Sequence, residues 1–244
     1  MKKTILLSSI FAASMAFADK TVDSNEVGLM GLATPSKAAL IAIPFLGYTA
    51  DAITVADMVN TAELATGSRL YVPNTDGTYD VWTLSSDKKW QKVETKVAVG
   101  KTGANESAGV EANAVQAARG GAFWLEPAAN SATLFYLLGK PASDRGTSTA
   151  VGGKWNLVGN ASEAAVTTLG AAAAVRDQVA IQIDGSIRYY TYMGSDGGWC
   201  CQNPSTGEVE SNQPLPVDLC QGLWFKPAKT STINWGTGEI TEGN

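Results

Sequence analysis

The chain has 244 residues, 45% of them hydrophobic and 17% charged, with a formal net charge of −5. An acidic surface with no run of clustered Lys or Arg excludes nucleic acid and anionic lipid as partners, because binding to either rests on basic patches. Histidine is absent, which removes the commonest general base and the commonest transition-metal ligand, and with them most hydrolase triads and zinc sites.

Lys2 and Lys3 precede an apolar run from Ile5 to Phe17 that is too short to span a bilayer, and Ala16-Phe17-Ala18 forms a small-x-small cleavage site. The pattern predicts a signal peptide over 1–18, cleavage before Asp19, and export to the periplasm, cell surface or extracellular space. No Cys stands at the cleavage point, so a lipoprotein anchor is not indicated. Cleavage leaves 16 of the 18 basic residues against all 23 acidic ones, a formal charge of −7. No later apolar run is long enough for a membrane-spanning helix.

In chain order, 19–37 reads as an extended arm, and Ala39–Phe45 (ALIAIPF) as a short buried strand closed by Pro44 and Gly47. Thr54 with Asp57 forms a capping box, and Val55, Met58, Val59 and Ala62 recur at helical spacing, which predicts a short amphipathic helix ending near Gly67. Arg69–Pro73 and Tyr79–Leu84 predict a hairpin around Asn74-Thr75-Asp76-Gly77, whose Asp-Gly pair tolerates positive φ. A strand from Trp90 through Val97, an exposed loop over Gly100–Gly121, and the strands Ala122–Leu125 and Ala132–Leu138 complete the half.

Lys140–Lys154, KPASDRGTSTAVGGK, has linker composition, and beyond it the order is replayed. Trp155–Val158 predicts a strand, Ser162–Val175 a helix with Val166, Leu169 and Ala173 on one face, and Val179–Met193 a hairpin. DGTYDVWTLSSDKKW, Asp76–Trp90, returns as DGSIRYYTYMGSDGGW, Asp184–Trp199, and GAFWLEP returns as QGLWFKP. Trp82 matches Tyr190, Trp90 matches Trp199, Trp124 matches Trp224 and Pro127 matches Pro227. The expected fold is mainly β (α+β), a tandem duplication of a β-rich sandwich- or barrel-like module with one short helix in each copy. The expected division is a first repeat with its N-terminal arm over 19–151, a second repeat over 152–236 and a flexible tail over 237–244. Two modules in contact are preferred over one pseudo-symmetric core.

The repeated positions Trp82, Trp90, Trp124, Trp199 and Trp224 read as core. Burying roughly 200 Å² of such a ring stabilises by up to about 5 kcal/mol. Trp235, Tyr189, Tyr190 and Tyr192 lack a full set of aromatic partners in the other copy, which makes them the candidates for stacking a sugar ring. Asp76, Asp80, Asp87, Glu126, Asp184 and Asp196 offer carboxylates for a glycosidase pair. Asp76, Asp184 and Asp196, however, each precede Gly in a turn where Asp is expected on backbone grounds. Asn74, Asp76 and Asp80 lack the spacing and terminal Glu of a calcium loop. No Ser occupies a G-x-S-x-G elbow and no His is present to activate one; no phosphate loop occurs either. No catalytic residue, metal or cofactor is expected.

Cys200, Cys201 and Cys220 in an exported chain point to a disulfide. A Cys201–Cys220 bridge would close a loop of about twenty residues between strands expected to be neighbours, worth roughly 3 kcal/mol. Cys200 is then either a buried inert thiol or a link between two chains.

The order of Trp155–Val158, Asp184–Tyr192 and Gly222–Phe225, with looser matches at Leu40–Phe45, Asp76–Trp82 and Gly120–Trp124, resembles an uncharacterised β module of exported and surface proteins of Gram-negative bacteria. SNEVG followed by IAIPF is similar to secreted proteins of the Verrucomicrobia and Lentisphaerae kind. The resemblance implies export and a non-enzymatic surface or matrix role, with no functional residue attached. The expected function is a secreted or cell-envelope structural and binding protein whose partner is a cell-surface or matrix protein or a glycan. The alternatives are a carbohydrate-binding protein using aromatic side chains and a glycoside hydrolase using carboxylates alone.

Overall fold

The computed structural model describes residues 28–46, 52–54, 58–73, 78–98, 110–111, 116–142, 144, 146–162, 164–170, 173–183, 186–203 and 205–243. Among these, antiparallel strands dominate, and two six-stranded sheets organise them. The first has the order β2 (Ala39–Ala42), β9 (Ala122–Glu126), β4 (Arg69–Pro73), β5 (Thr78–Leu84), β6 (Trp90–Ala98), β7 (Val110–Glu111). The second has the order β12 (Asn156–Gly159), β17 (Gly222–Lys226), β13 (Gln178–Ile183), β14 (Ser186–Tyr192), β15 (Trp199–Gln202), β16 (Val209–Glu210). Matched along the chain, the two orders are the same. The flanking strands correspond as well: β1 (Gly28–Ala33) pairs with β10 (Leu134–Gly139), and β11 (Thr147–Ala150) pairs with β18 (Ser231–Asn234). β19 (Glu239–Glu242) extends the latter pair, and β3 (Ala52–Thr54) pairs with β8 (Gln116–Ala118).

The registers coincide too. Trp124 lies opposite Leu40 and Tyr71, while Trp224 lies opposite Leu157 and Ala180. Leu84 faces Trp90 where Tyr192 faces Trp199.

Because side chains alternate between the faces of a strand, each sheet presents one face to its own core. Ile41, Leu70, Trp82, Trp90, Phe123 and Leu125 build the first core, closed by Phe135 and Leu137 of β10. Val158, Val179, Ile181, Trp199, Leu223 and Phe225 build the second, closed by Ile233, Trp235 and Ile240. The opposite faces meet in the middle of the molecule. There the Trp124 and Trp224 rings lie 5.1 Å apart at 55°, Ala42 N donates to Cys220 O at 2.8 Å, and Gly159 N donates to Gly120 O at 2.9 Å. Gly159 leaves room for a close approach, since a Cβ there would stand 2.4 Å from that of Ala42.

Four expectations are corrected. The helix predicted over Thr54–Gly67 does not run that length: among the described residues of this stretch only Met58 is α-helical, Thr54 ends β3, Asn60 caps a single 3₁₀ turn at Thr61–Glu63, and 55–57 lie outside the described residues. The helix predicted over Ser162–Val175 is absent among the described residues. Asn160 donates to Ala164 O and Asp218 O, Val166 bridges to Val217, and Gly170 has φ +100°, so side-chain amides and a neighbouring strand take the backbone partners a helix would use. The boundary at 151/152 moves towards the N-terminus, because β11 belongs with β18. The tail over 237–244 carries β19, with Ile240 buried. The Asp76-Gly77 and Asp184-Gly185 turns and most of Gly100–Gly121 lie outside the described residues.

Candidate functional site

Alternation along β14 decides the fate of the tyrosine run. Tyr190 points inward and is 4% exposed, lying in the second core beside Cys201, whereas Tyr189 points outward and is 64% exposed. Tyr192 is half-buried and set edge-on to Trp199 at 5.3 Å. Trp235, predicted as a ligand residue, is 1% exposed, and its indole Nε1 donates to Ser148 Oγ at 2.6 Å. Trp235 and Tyr190 are therefore core residues; each closes an apolar cluster and neither reaches solvent. Of the residues read as core, Trp82, Trp90 and Trp199 are buried, while Trp124 and Trp224 are half-buried at the contact between the sheets.

The disulfide is also corrected: Cys200, Cys201 and Cys220 are all free. β15 and the segment leading into β17 are not neighbours, because β13 and β14 lie between them. Three strand spacings amount to about 14 Å, twice the Cα separation a disulfide spans. Cys201 turns into the second core toward Glu210, while Cys220 packs in the first core against Met30. Burial pushes the Cys220 thiol up to about 12, and burial followed by the Glu210 carboxylate raises Cys201, so both stay protonated. Cys200 is half-buried, its thiol directed at Gly197 O.

The carboxylates are occupied by structure. Asp177 is fully buried and accepts from Ala174 N at 2.9 Å and Ala228 N at 2.8 Å. Burial raises its pKa against these two hydrogen bonds. Ser68 holds the same place in the first half, accepting from Ala128 N at 2.9 Å, also with its own N–H on the residue three before it. Asp80 pairs with Lys92 at 2.5 Å. Asp144 binds Arg119, whose guanidinium also donates to Pro44 O and Ala161 O and so ties the two halves. Asp87 is held by Ser85, and Glu126 accepts from Tyr71 Oη at 2.6 Å. Asp76 and Asp184 lie outside the described residues, and Asp196 is exposed in a turn. Among the described residues no group of three His, Cys, Asp or Glu could hold a metal ion.

What remains exposed is an aromatic surface on the sheet-contact face of the second sheet, beyond the area the first half covers. Trp155, one residue before β12, is 45% exposed, and its ring stands 6.4 Å from that of Tyr189 at 72°. Lys226 Nζ sits 5.9 Å from the centre of the Trp155 ring. Register places Lys226, Gln178 and Thr191 in one row beside the row of Trp224, Ala180 and Tyr189. Two exposed rings set edge to face, with flanking amide, hydroxyl and ammonium donors, suit a ligand that is apolar on one face and rich in hydroxyls at its rim.

The first sheet has no such surface at the equivalent positions. Ala38 stands where Trp155 does, Val81 where Tyr189 does, and Glu126 where Lys226 does. Trp155 was legible in the sequence by the same criterion that selected Trp235, an aromatic without a counterpart, but its place at the head of an apolar strand disguised it as core. No protein-family model, curated protein or solved structure matches the chain.

Proposed function

We propose that this chain is a non-enzymatic binding protein of the exported or cell-envelope class, built by duplication of a six-stranded unit, and that it binds carbohydrate at Trp155 and Tyr189. The observation that carries the reading is the asymmetry of an otherwise repeated scaffold. The two sheets share strand order and register, yet among the described residues only the second exposes an aromatic pair on its open face. Two exposed rings in contact form an apolar patch that folding does not bury and that is open to a ligand. The lysine-led leader sequence supports export, and the structural roles of Asp80, Asp144 and Asp177 support a chain without catalytic carboxylates.

Affinity electrophoresis of the full chain through gels containing soluble plant, algal or bacterial polysaccharides tests the reading. At least one polysaccharide should retard the wild type. Tyr189→Ser and Trp155→Ser should each weaken that retention by roughly fivefold to thirtyfold, the range of an aromatic anchor in an interface. Free migration of the wild type through every polysaccharide would contradict it.

A further inference from the structure

We propose, resting on that reading, that the carbohydrate is acidic and that Lys226 receives its anionic group, a carboxylate or a sulfate, beside the Trp155 ring. The two sheets differ here in charge as well as in aromaticity. In the first sheet the row holds Arg69 opposite Glu126 and Thr83, and Tyr71 Oη donates to the Glu126 carboxylate at 2.6 Å. Cation, anion and hydroxyl satisfy one another. In the second sheet the same row holds Gln178 opposite Lys226 and Thr191, and continues to Cys200. It contains a cation and no carboxylate. Among the described residues Lys226 makes no ion pair. The ammonium lies over the π face of Trp155, an arrangement that holds it at the edge of the platform and leaves its remaining donors free.

This unbalanced cation stands in a chain whose net charge is −5. General electrostatics therefore repel an acidic polymer from most of the surface, and a local site is needed to admit one. The aromatic pair contacts the faces of the sugar rings. Lys226 contributes a charge-assisted hydrogen bond to the acidic group, and Gln178 and Thr191 stand in the same row with amide and hydroxyl for ring oxygens. A neutral polymer would use the platform alone.

Affinity electrophoresis of the full chain through polygalacturonate, dextran sulfate and dextran tests this. Retention by polygalacturonate or by dextran sulfate should be at least tenfold stronger than by dextran, the margin of one hydrogen bond to a charged group; which of the two retains more identifies carboxylate or sulfate. Lys226→Met should abolish the preference while keeping the weak dextran contact, and Lys226→Glu, the residue of the first sheet, should reverse it. Unchanged thermal melting of both variants would show that folding is intact. Equal retention by all three polymers, or a preference that survives Lys226→Met, overturns the role of Lys226. In that case Tyr189→Ser still reports on the platform, because it weakens retention by every polymer the platform binds.

Discussion

Single residues separate scaffold from surface most sharply where the two halves can be laid over each other. Ser68 and Asp177 perform one task with different chemistry: each accepts the N–H of the residue after the conserved-in-place proline of its half, Ala128 and Ala228 respectively. The price of using a carboxylate there is burial, which raises the pKa of Asp177. The native state therefore takes up this proton before the unfolded chain does. The group's contribution to stability is fully present below the unfolded pKa and is lost as pH rises through the higher native value. In Asp177→Asn that loss is gone, and urea unfolding at a series of pH values should show a flatter stability profile just above the ordinary carboxylate range. Asp177→Ala strands two buried N–H groups and should cost about 2–4 kcal/mol at neutral pH. By contrast, Tyr189→Ser and Trp155→Ser touch no core and should shift stability by no more than about 0.5 kcal/mol, measured by thermal melting. In sequence Trp82 corresponds visibly to Tyr190 because both are aromatic. Ser68 and Asp177 do not correspond visibly, since a serine and an aspartate resemble each other only through the hydrogen bond they accept.

At the level of elements, the strands were legible and the helix over Ser162–Val175 was not. Alternation and the spacing of the paired Trp residues located β4, β5, β6, β9, β13, β14 and β17 to within a residue or two. That expectation failed at Val166, Leu169 and Ala173, whose spacing of three or four comes from an irregular segment that dips repeatedly into the second core. The contact between sheets depends on small residues at the ends of β2 and β12. A Cβ on Gly159 would stand 2.4 Å from both Ala42 Cβ and Gly121 O. Gly159→Ala should destabilise by about 1–3 kcal/mol through overpacking. Adding Ala42→Gly should recover part of that loss, a non-additivity that a double-mutant cycle in urea would measure.

The whole molecule has two cores joined by a shared face, which accounts for features that neither half explains alone. Cys220, from the second half, fills part of the first core, Trp224 Nε1 reaches Tyr79 Oη at 3.4 Å, and Arg119 hydrogen-bonds to Pro44, Asp144 and Ala161 at once. These contacts predict one cooperative unfolding transition, seen as coincident curves for tryptophan fluorescence and far-ultraviolet circular dichroism; two separated transitions would indicate independent modules. The same architecture makes Trp155 unlike the other six tryptophans, which are buried or half-buried. Acrylamide quenching of tryptophan fluorescence, with and without a polysaccharide that retards the chain, therefore tests binding at this face directly. A readily quenched component should be present that Trp155→Phe removes and that the bound polysaccharide protects. Binding that leaves this component fully open to acrylamide would contradict it.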